Sequence, residues 1–572
     1  MKILGFIKKF ILGTLLFIIK EIFSFVIKFT LMLIVIGGIA GAILKYSMEE
    51  EKPTLKNGSY VEIDLGKEYP EKLEALPKFL MEGEMNFYSI LKKLDSIKDD
   101  SRVEGVFLKI DNLTLDRAQI SELGDKLELL KKSGKKVISY GINLDNRNYL
   151  LAIHSDKIFM PPTMTAGVNI AGYYNQLPYY KGLADKLGVK FNVIHVGDYK
   201  SYGENYVRET MSQEYRSNIV RMLDKVYENF IEEVTNKRGI SKDLFNERVL
   251  AGDFVSAEPY QMKKFNLIDD FAYENEIKDL IGSKRIVPIE EYEESSKISK
   301  EKIAVIYGEG SILLGGEKGN IGKSITPESI FAELDRAVKD DSIKGIVLRI
   351  NSPGGSALAS NLINKKVRDI GKIKPVYISI GGVAASGGYY IAVAGDKIFA
   401  DKESITGSIG VVSLIPNFNE LMNKIDVNIE SIKKGEYSDL YSLTKKFSAQ
   451  DEEKIYASSV KVYSEFLDVV AQGRGLDRNY VHTIAQGKVW LGEEGKELGL
   501  IDEIGGLEKT IESLAKDLKL KDYSVVEIKE SEKLDKILKN YLPFRSFFEG
   551  VSETIYEREL YFKPIYFFPY NM

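Results

Sequence analysis

The sequence contains no cysteine among its 572 residues. This absence excludes disulfide bonds, thiolate catalysis, zinc ribbons and iron–sulfur clusters together. It also fits a protein that works outside the cytoplasm.

Histidine is almost as scarce, because the chain has only His154, His195 and His482. A catalytic triad that depends on histidine, or a metal site with several histidines, therefore has few candidates. Concentrated positive charge is missing as well. The formal net charge is -5, and no segment gathers Lys and Arg as phosphate binding requires, so we expect no nucleic-acid partner.

The amino terminus holds the clearest compositional feature, an uncharged apolar stretch at residues 29–44 between Lys28 and Lys45. Lysines precede this stretch and three glutamates follow it, so the positive-inside rule places the amino terminus in the cytoplasm and the bulk of the protein outside. We predict a transmembrane helix within an uncleaved anchor, residues 1–48. A cleaved signal peptide is the alternative, because Ile39-Ala-Gly-Ala42 offers small residues to a peptidase.

Beyond this stretch, the sequence repeats itself at a spacing of about 240 residues. Val103-Glu-Gly-Val-Phe-Leu-Lys-Ile110 matches Ile343-Lys-Gly-Ile-Val-Leu-Arg-Ile350, and His154-Ser-Asp-Lys-Ile-Phe159 matches Ala394-Gly-Asp-Lys-Ile-Phe399. A chain of this length, with 44% hydrophobic residues, can bury two or more cores, so we expect at least two domains.

Each copy alternates short β-branched runs with amphipathic helical stretches such as residues 119–132 and 362–370. The alternation predicts βα units around a buried, mostly parallel sheet, and therefore two tandem copies of an α/β fold. A polar segment at residues 290–300 marks the join. We predict four regions along the chain: an anchor at 1–48, a first repeat at 49–295, a second repeat at 296–520 and an aromatic-rich tail at 521–572.

The second copy carries a hydroxyl that the first copy lacks. Its glycine-rich stretch at residues 381–390 presents Ser386 between a predicted strand and a predicted helix. A shift of about 240 residues places Asn146 at this position in the first copy. The second copy also has Asn351-Ser-Pro-Gly-Gly-Ser356 after an earlier strand, where the first copy has neither glycine.

The first copy, in turn, carries an amine that the second copy lacks. Lys200 lies in Gly197-Asp-Tyr-Lys-Ser201, and the matching segment of the second copy, Gly435-Glu-Tyr-Ser-Asp439, places Ser438 there. The two copies have therefore diverged in a complementary way.

This divergence gives each copy one half of a nucleophile–base pair. A serine hydroxyl is a poor nucleophile until a base takes its proton, and lysine serves as that base only where burial or a nearby cation lowers its pKa. Gly354 and Gly355 can turn backbone N–H groups towards a developing oxyanion. We predict one composite acyl-transfer site, with Ser386 as the nucleophile and Lys200 as the general base.

Four motifs resemble the family of signal peptide peptidase A, also called protease IV, in its long, membrane-anchored bacterial form. They are Asn351-Ser-Pro-Gly-Gly-Ser356, Ala384-Ala-Ser-Gly-Gly388, Ile405-Thr-Gly-Ser-Ile-Gly410 and Gly197-Asp-Tyr-Lys-Ser201, and the similarity spans about residues 55–515.

The resemblance implies a role for each motif residue. Ser386 would be the nucleophile and Lys200 the general base, and Ser408 would hydrogen-bond the lysine and help to orient it. Gly354 and Gly355 would belong to the oxyanion loop. Ser408 between glycines also suits an ordinary turn residue.

The same resemblance implies the fold and the setting of the protein. It points to tandem Clp protease/crotonase-like domains, assembled as a homotetramer on the inner membrane of a bacterium with the catalytic region outside the cytoplasm. The implied activity is the degradation of released signal peptides and similar apolar peptides, with no metal or other cofactor.

Two other classes of function remain open. A crotonase-like acyl-CoA enzyme would use paired N–H groups to hold a thioester enolate, and it would need an adenine-binding surface and carboxylates near the glycine loop. The sequence offers no convincing set of these. The other class is a non-catalytic membrane scaffold, which would not react with a fluorophosphonate at Ser386.

Overall fold

The computed structural model describes residues 27–32, 34–39, 41, 55–73, 84–282, 285–294, 299–315, 323–528 and 565–566. Contacts divide the chain into two units, Met1–Lys56 and Asn57–Met572. In the first unit, the described residues between 27 and 41 are helical and exposed. Within the described part of the chain, no helix is both long and apolar enough to cross a membrane. Most of the predicted anchor, residues 1–48, lies outside the described residues, so the transmembrane helix stays a prediction.

The first repeat alternates strands and helices as its sequence pattern predicts. Its described strands are β1 (Ser59–Asp64), β2 (Val103–Lys109), β3 (Lys136–Tyr140), β4 (Asn143–Asp145), β5 (Lys157–Met160), β6 (Gly167–Asn169), β7 (Lys190–Val196), β8 (Asp270–Phe271) and β9 (Ile286–Pro288). Its described helices are α1 (Phe87–Asp99), α2 (Arg117–Lys132), α3 (Asn146–Ala152), α4 (Lys181–Leu187), α5 (Glu204–Val207), α6 (Gln213–Arg238), α7 (Lys242–Ala251), α8 (Pro259–Lys264) and α9 (Glu274–Ile281).

The second repeat and the segment after it follow the same alternation. The described strands are β10 (Lys302–Glu309), β11 (Ser311–Ile312), β12 (Ser324–Ile325), β13 (Ile343–Ser352), β14 (Gly355–Ser356), β15 (Val376–Ala385), β16 (Lys397–Ala400), β17 (Ile405–Gly407), β18 (Val411–Asn417), β19 (Val489–Leu491), β20 (Glu503–Ile504), β21 (Ser524–Glu527) and β22 (Ile565–Tyr566). The described helices are α10 (Pro327–Lys339), α11 (Ala357–Gly371), α12 (Gly387–Ala392), α13 (Asn419–Lys424), α14 (Ala449–Arg474), α15 (Arg478–Ile484), α16 (Gly492–Glu497) and α17 (Leu507–Asp517).

The two repeats share one sheet order. In the first repeat the order is β8-β5-β3-β2-β1-β9, with parallel neighbours throughout. In the second repeat, β20-β16-β15-β13-β10-β21 are parallel in the corresponding order. The predicted α/β fold, with a mostly parallel sheet in each of two tandem copies, is therefore confirmed.

The second sheet is buried on both faces, which explains why its strands read as continuous apolar runs. Successive side chains of a strand point to opposite faces. Ile306 of β10 belongs to the core cluster that contains Phe466 of α14, and its neighbour Val305 belongs to the cluster that contains Leu514 of α17. Helices therefore cover both faces, and the inner strands can bring polar residues to one sheet edge.

An antiparallel strand pair joins the two repeats. β7 of the first repeat pairs with β18 of the second, with Val196 opposite Val411 and Lys190 opposite Asn417. The residues that follow β7 therefore lie beside the residues that precede β18. These are the segments with the Lys200 motif and the Ser408 motif.

The predicted tail begins with an edge strand of the second sheet. β21 lies after residue 520 and pairs in parallel with β10. β22 is a separate short strand, antiparallel to β14 and, at Val412, to β18. Residues 529–564 and 567–572 of the tail lie outside the described residues.

Candidate active site

Ser386 lies at the sharp junction between β15 and α12. Its φ of 54° and ψ of −116° are unusual for a residue with a side chain, and its hydroxyl makes no capping bond to the helix. The Ser386 N–H donates to Gly407 O at 2.8 Å, which fixes the turn. Because strained backbone persists only where surrounding structure holds it, this turn is a candidate for a functional position.

Lys200 reaches the serine hydroxyl from the other repeat. Its Nζ lies 2.7 Å from Ser386 Oγ, 2.9 Å from the backbone oxygen of Ser408 and 3.0 Å from Ser408 Oγ. Ser386 is 0% exposed and Lys200 is 2% exposed. The structure thus brings together the three side chains that the sequence analysis singled out, although Ser386 and Lys200 lie 186 residues apart in the chain.

The surroundings of Lys200 disfavour its charged form. Burial lowers the pKa of the Lys200 ammonium group well below its usual value, because the site removes the group from water. The contacts of the Nζ atom are to hydroxyl and carbonyl oxygens, which are neutral. A lysine whose pKa is lowered in this way is more readily neutral, and a neutral amine can act as a base.

Two glycines of the second repeat make room for the lysine. A Cβ atom added to Gly487 would lie 2.5 Å from Lys200 N, and one added to Gly410 would lie 3.1 Å from Lys200 Cδ. The Tyr199 N–H also donates to Gln486 O at 2.8 Å. The sequence analysis did not single out Gly487, because its only feature in the sequence is that it is a glycine between two polar residues.

The glycine loop packs against the start of α12. Gly354 and Gly355 have φ values of 110° and 151°, which favour glycine. A Cβ atom added to Gly387 would lie 3.2 Å from Gly355 N, so this backbone N–H lies next to the residue after the serine. The Gly354 N–H donates to Ser352 Oγ at 3.2 Å. The loop therefore places the Gly355 N–H next to Gly387, the residue that follows Ser386, while the Gly354 N–H is bonded within the loop.

The equivalent place in the first repeat is built differently. Asn146 donates from Nδ2 to Gly172 O at 2.9 Å and accepts from the Ala171 N–H at 3.1 Å, so its side chain clamps backbone. A cavity of about 610 Å³ lies here and is lined in part by Asn143 and Arg147. Ser438, the counterpart of Lys200, is exposed, and its hydroxyl donates to Gly435 O at 3.0 Å.

No group of three or more His, Cys, Asp or Glu side chains in the described ranges is arranged to hold a metal ion. The chemistry that this arrangement offers comes from an amine, hydroxyl groups and backbone N–H groups. Such a set can move a proton and stabilise a developing oxyanion.

Comparisons with known proteins match both repeats. Peptidase family S49 matches at residues 129–278 and again at residues 368–521. Protease 4 of Haemophilus influenzae is 30% identical over 470 residues, which cover 77% of this chain and 75% of that protein. Protease 4 of Salmonella typhi is 31% identical over 461 residues, or 77% and 73% of the two chains. A putative signal peptide peptidase SppA of Enterococcus faecium is 36% identical over 233 residues, or 40% and 68%.

The tandem α/β repeats and these matches define the class of the protein, which is a serine peptidase. The chain belongs to peptidase family S49. The predicted resemblance is confirmed, and the two other classes, an acyl-CoA enzyme and a non-catalytic scaffold, are set aside by this membership.

Proposed function

We propose that Ser386 and Lys200 form the catalytic dyad of a membrane-anchored serine endopeptidase. The observation that carries the proposal is the 2.7 Å contact between Lys200 Nζ and Ser386 Oγ, made between two repeats in a buried place. A nucleophile and its base must lie within hydrogen-bond reach, and the base must be neutral before it can accept a proton. Burial of Lys200 favours that neutral form by lowering its pKa.

The contacts of Lys200 suit a neutral amine. Such an amine has two N–H bonds and one lone pair. When the amine is neutral, its two N–H bonds can donate to the backbone oxygen and to Oγ of Ser408. Its lone pair can then accept the proton of the Ser386 hydroxyl, 2.7 Å away. Ser408 is thus a positioning residue for the base.

The reaction proceeds through an acyl-enzyme. Ser386 Oγ forms a bond to the scissile carbonyl carbon while its proton passes to Lys200 Nζ. The resulting ammonium group gives this proton to the leaving amine as the C–N bond breaks. Lys200 then takes a proton from water while the hydroxide bonds to the ester carbon. The bond between this carbon and Ser386 Oγ breaks, the proton on Lys200 returns to Oγ, and the peptide leaves with a new carboxyl group.

Backbone N–H groups of the glycine loop stabilise the oxyanion of each tetrahedral intermediate. Gly354 and Gly355 supply this loop, and the position of Gly355 N beside Gly387 supports the assignment. One such donor contributes about 3–4 kcal/mol in transition-state stabilisation.

The substrates are extended, apolar peptides, and released signal peptides are the class that we propose. The name of the Enterococcus faecium relative supports that class. The pairing of β22 with β14 supports an extended backbone, because it places a strand antiparallel to Gly355 and Ser356 of the glycine loop. Backbone pairing of this kind accepts many sequences.

The membrane setting is part of the same proposal. Residues 1–48 anchor the chain in the inner membrane of a bacterium, with the amino terminus in the cytoplasm and the catalytic region outside it. The exposed apolar side chains of the helical residues near 27–39 support an apolar environment there.

The protein works as a homotetramer, without a metal or other cofactor. Exposed apolar residues such as Ile425 and Ile432 support a contact with another copy.

We also propose the domain division 1–48, 49–295, 296–520 and 521–572, with Clp protease/crotonase-like repeats. The matched sheet orders of the two repeats support the division. The pairing of β21 with β10 adds an edge strand from the tail to the second repeat.

The test is active-site labelling and peptide cleavage with Ser386→Ala and Lys200→Ala. We expect both variants to fold, to lose cleavage of an apolar fluorogenic peptide and to lose fluorophosphonate labelling. Ser438→Ala, at the exposed counterpart of Lys200, is the matched control and should retain full activity. Cleavage that survives in Ser386→Ala or in Lys200→Ala would refute the dyad.

A further inference from the structure

A buried arginine of the second repeat is bound to two glutamates of the first repeat. Arg349 Nη2 lies 2.9 Å from Glu71 Oε1 and 2.7 Å from Glu122 Oε1, and Arg349 Nε lies 3.2 Å from Glu71 Oε2. The three side chains are 1%, 2% and 5% exposed, in that order. This cluster, which we call the Arg349 network, lies apart from the contacts of Lys200.

The same guanidinium group holds the two strands that lead to the candidate active site. Arg349 lies on β13, which continues into the loop with Gly354. Its Nη1 donates to Ser379 Oγ at 3.0 Å and to Ile380 O at 3.1 Å, and both belong to β15, which ends just before Ser386. One side chain thus fixes the spacing between β13, which leads to the glycine loop, and β15, which leads to Ser386.

Helix α2 of the first repeat anchors this network. Glu122 lies on α2, and its Oε2 accepts a hydrogen bond from Leu507 N at 2.9 Å. The α2 cap residue Asp116 touches β15 as well, because a Cβ atom added to Gly382 would lie 2.5 Å from Asp116 Oδ2. The first repeat therefore contacts β15 at Gly382, four residues before Ser386. The close approach is possible because glycine has no side chain.

Stability alone does not explain a buried ionic cluster of this kind. Moving three charged groups out of water is unfavourable, and well-packed neutral residues of similar size often stabilise a protein equally well. Ionic groups with several directed hydrogen bonds do, however, fix the relative position of the elements that they join. The elements joined by Arg349 are those whose relative position decides the geometry of acyl transfer.

We propose that Arg349, Glu71 and Glu122 form a positioning network through which the first repeat aligns the glycine loop with Ser386. The inference rests on the proposed dyad and adds a second contribution of the first repeat, separate from Lys200. None of the three side chains touches the reacting atoms.

The main test neutralises the network as a whole in the full-length protein. Arg349→Met combined with Glu71→Gln and Glu122→Gln removes the arginine together with its two carboxylate partners, so we expect a folded protein. We expect kcat to fall by roughly 10²-fold, the size of effect that a small misplacement of reacting groups produces. KM should change little, and fluorophosphonate labelling of Ser386 should slow by a similar factor. The pH profile of labelling should keep its midpoint, because the contacts of Lys200 are intact.

A matched control neutralises another ion pair between the repeats. Lys126, also on α2, lies 2.6 Å from Glu508 on α17 and 2.7 Å from Asp95 on α1, so its ion pairs include no residue of β13 or β15. Lys126→Met combined with Glu508→Gln should leave kcat and labelling at the level of the unaltered protein. Comparison of the two variants separates loss of an interrepeat ion pair from loss of alignment.

A conservative variant tests the network while it keeps a positive charge at residue 349. In Arg349→Lys the charge stays, but a single ammonium group cannot reach both glutamates and both acceptors on β15. We expect a kcat loss about tenfold smaller than in the neutralised variant. Unchanged kcat and labelling in folded Arg349→Lys or in the folded neutralised variant would overturn the network. Activity that survives in Ser386→Ala would instead overturn the dyad itself.

Discussion

The two repeats have the same sheet order but use the same turn for different purposes. In the second repeat, the turn after β15 presents Ser386 with its hydroxyl free of any helix cap. In the first repeat, the equivalent turn holds Asn146, whose amide clamps Ala171 and Gly172. One copy has a buried hydroxyl group in contact with Lys200 at this turn, and in the other copy the side chain at this position holds the backbone of its own repeat.

The candidate base, Lys200, shows the opposite difference between the repeats. Lys200 follows β7 of the first repeat, and β7 leaves its own repeat to pair with β18. The matching position in the second repeat, Ser438, lies in an exposed loop and contacts nothing of the site. A duplicated unit can therefore build one site from two halves when a single strand crosses between the copies.

Exchanging residues between equivalent positions gives the largest expected effect. Ser386→Asn and Lys200→Ser install the residue of the other repeat, and Asn tolerates the positive φ at this turn. We expect each to lower kcat/KM by roughly 10⁴-fold or more, because a nucleophile and its base act as a unit. Peptide cleavage, with circular dichroism as a folding check, measures the effect.

The reverse exchange is the control for that prediction. Asn146→Ser combined with Ser438→Lys, placed in the Ser386→Asn background, should restore no activity, since the first repeat lacks the glycine loop and residue 438 is exposed. Recovery of cleavage there would break the comparison of the two repeats.

The glycine loop gives the next largest effect. Gly355 has a φ of 151°, and an added Cβ would lie 2.1 Å from Ile312 O, so Gly355→Ala must displace the loop. We expect kcat to fall by roughly 10²–10³-fold, the cost of losing one oxyanion donor.

Leu115, the equivalent buried residue of the first repeat, should behave differently. Leu115→Ala should cost about 2–5 kcal/mol of stability and leave the kcat of the folded protein unchanged.

The burial of Lys200 predicts the pH dependence. The base must be neutral, and its neutral fraction rises with pH, so kcat/KM should rise with pH and level off above the pKa of Lys200. Because burial lowers that pKa well below 10.5, the rise should end at a correspondingly lower pH. Each pH unit below the pKa should lower the rate about tenfold. A profile that still rises near 10.5 would show that Lys200 behaves like an exposed lysine, unlike the residue in the structure.

Ser408 should give the smallest effect. Ser408→Ala removes the acceptor 3.0 Å from Lys200 Nζ but keeps the backbone oxygen at 2.9 Å. We expect kcat to fall about tenfold, which corresponds to about 1.4 kcal/mol. Val168 holds the equivalent position in the first repeat, and Val168→Ala should leave kcat unchanged. Equal effects of the two substitutions on kcat would argue against a role for Ser408 beyond that of a turn residue.

Local patterns in the sequence predicted the elements and the reactive residues. The stretches at 119–132 and 362–370 lie within α2 and α11, because the spacing of apolar residues follows the helix period. Thr326 and Pro327 cap and open α10 as such residues usually do. Comparison of the two copies was enough to single out Ser386 and Lys200, since a missing hydroxyl and a missing amine are visible without coordinates.

Other parts of the site have no local signature. Gly487 makes room for Lys200 only because the segment of residues 486–487 lies against the lysine loop, and Arg349 reads in sequence as one polar residue within a strand. The partners of Arg349, Glu71 and Glu122, come from distant parts of the chain.

The sequence by itself determined the repeated α/β units, the glycine turn with Ser386 and the identity of the candidate base, because period, turn chemistry and residue type are local properties. Only the tertiary structure decided that β7 pairs with β18 and that Lys200 loses its contact with water. Strand pairing between repeats and burial depend on contacts between residues far apart in the chain, and these contacts turn an ordinary lysine into a group that can act as a base.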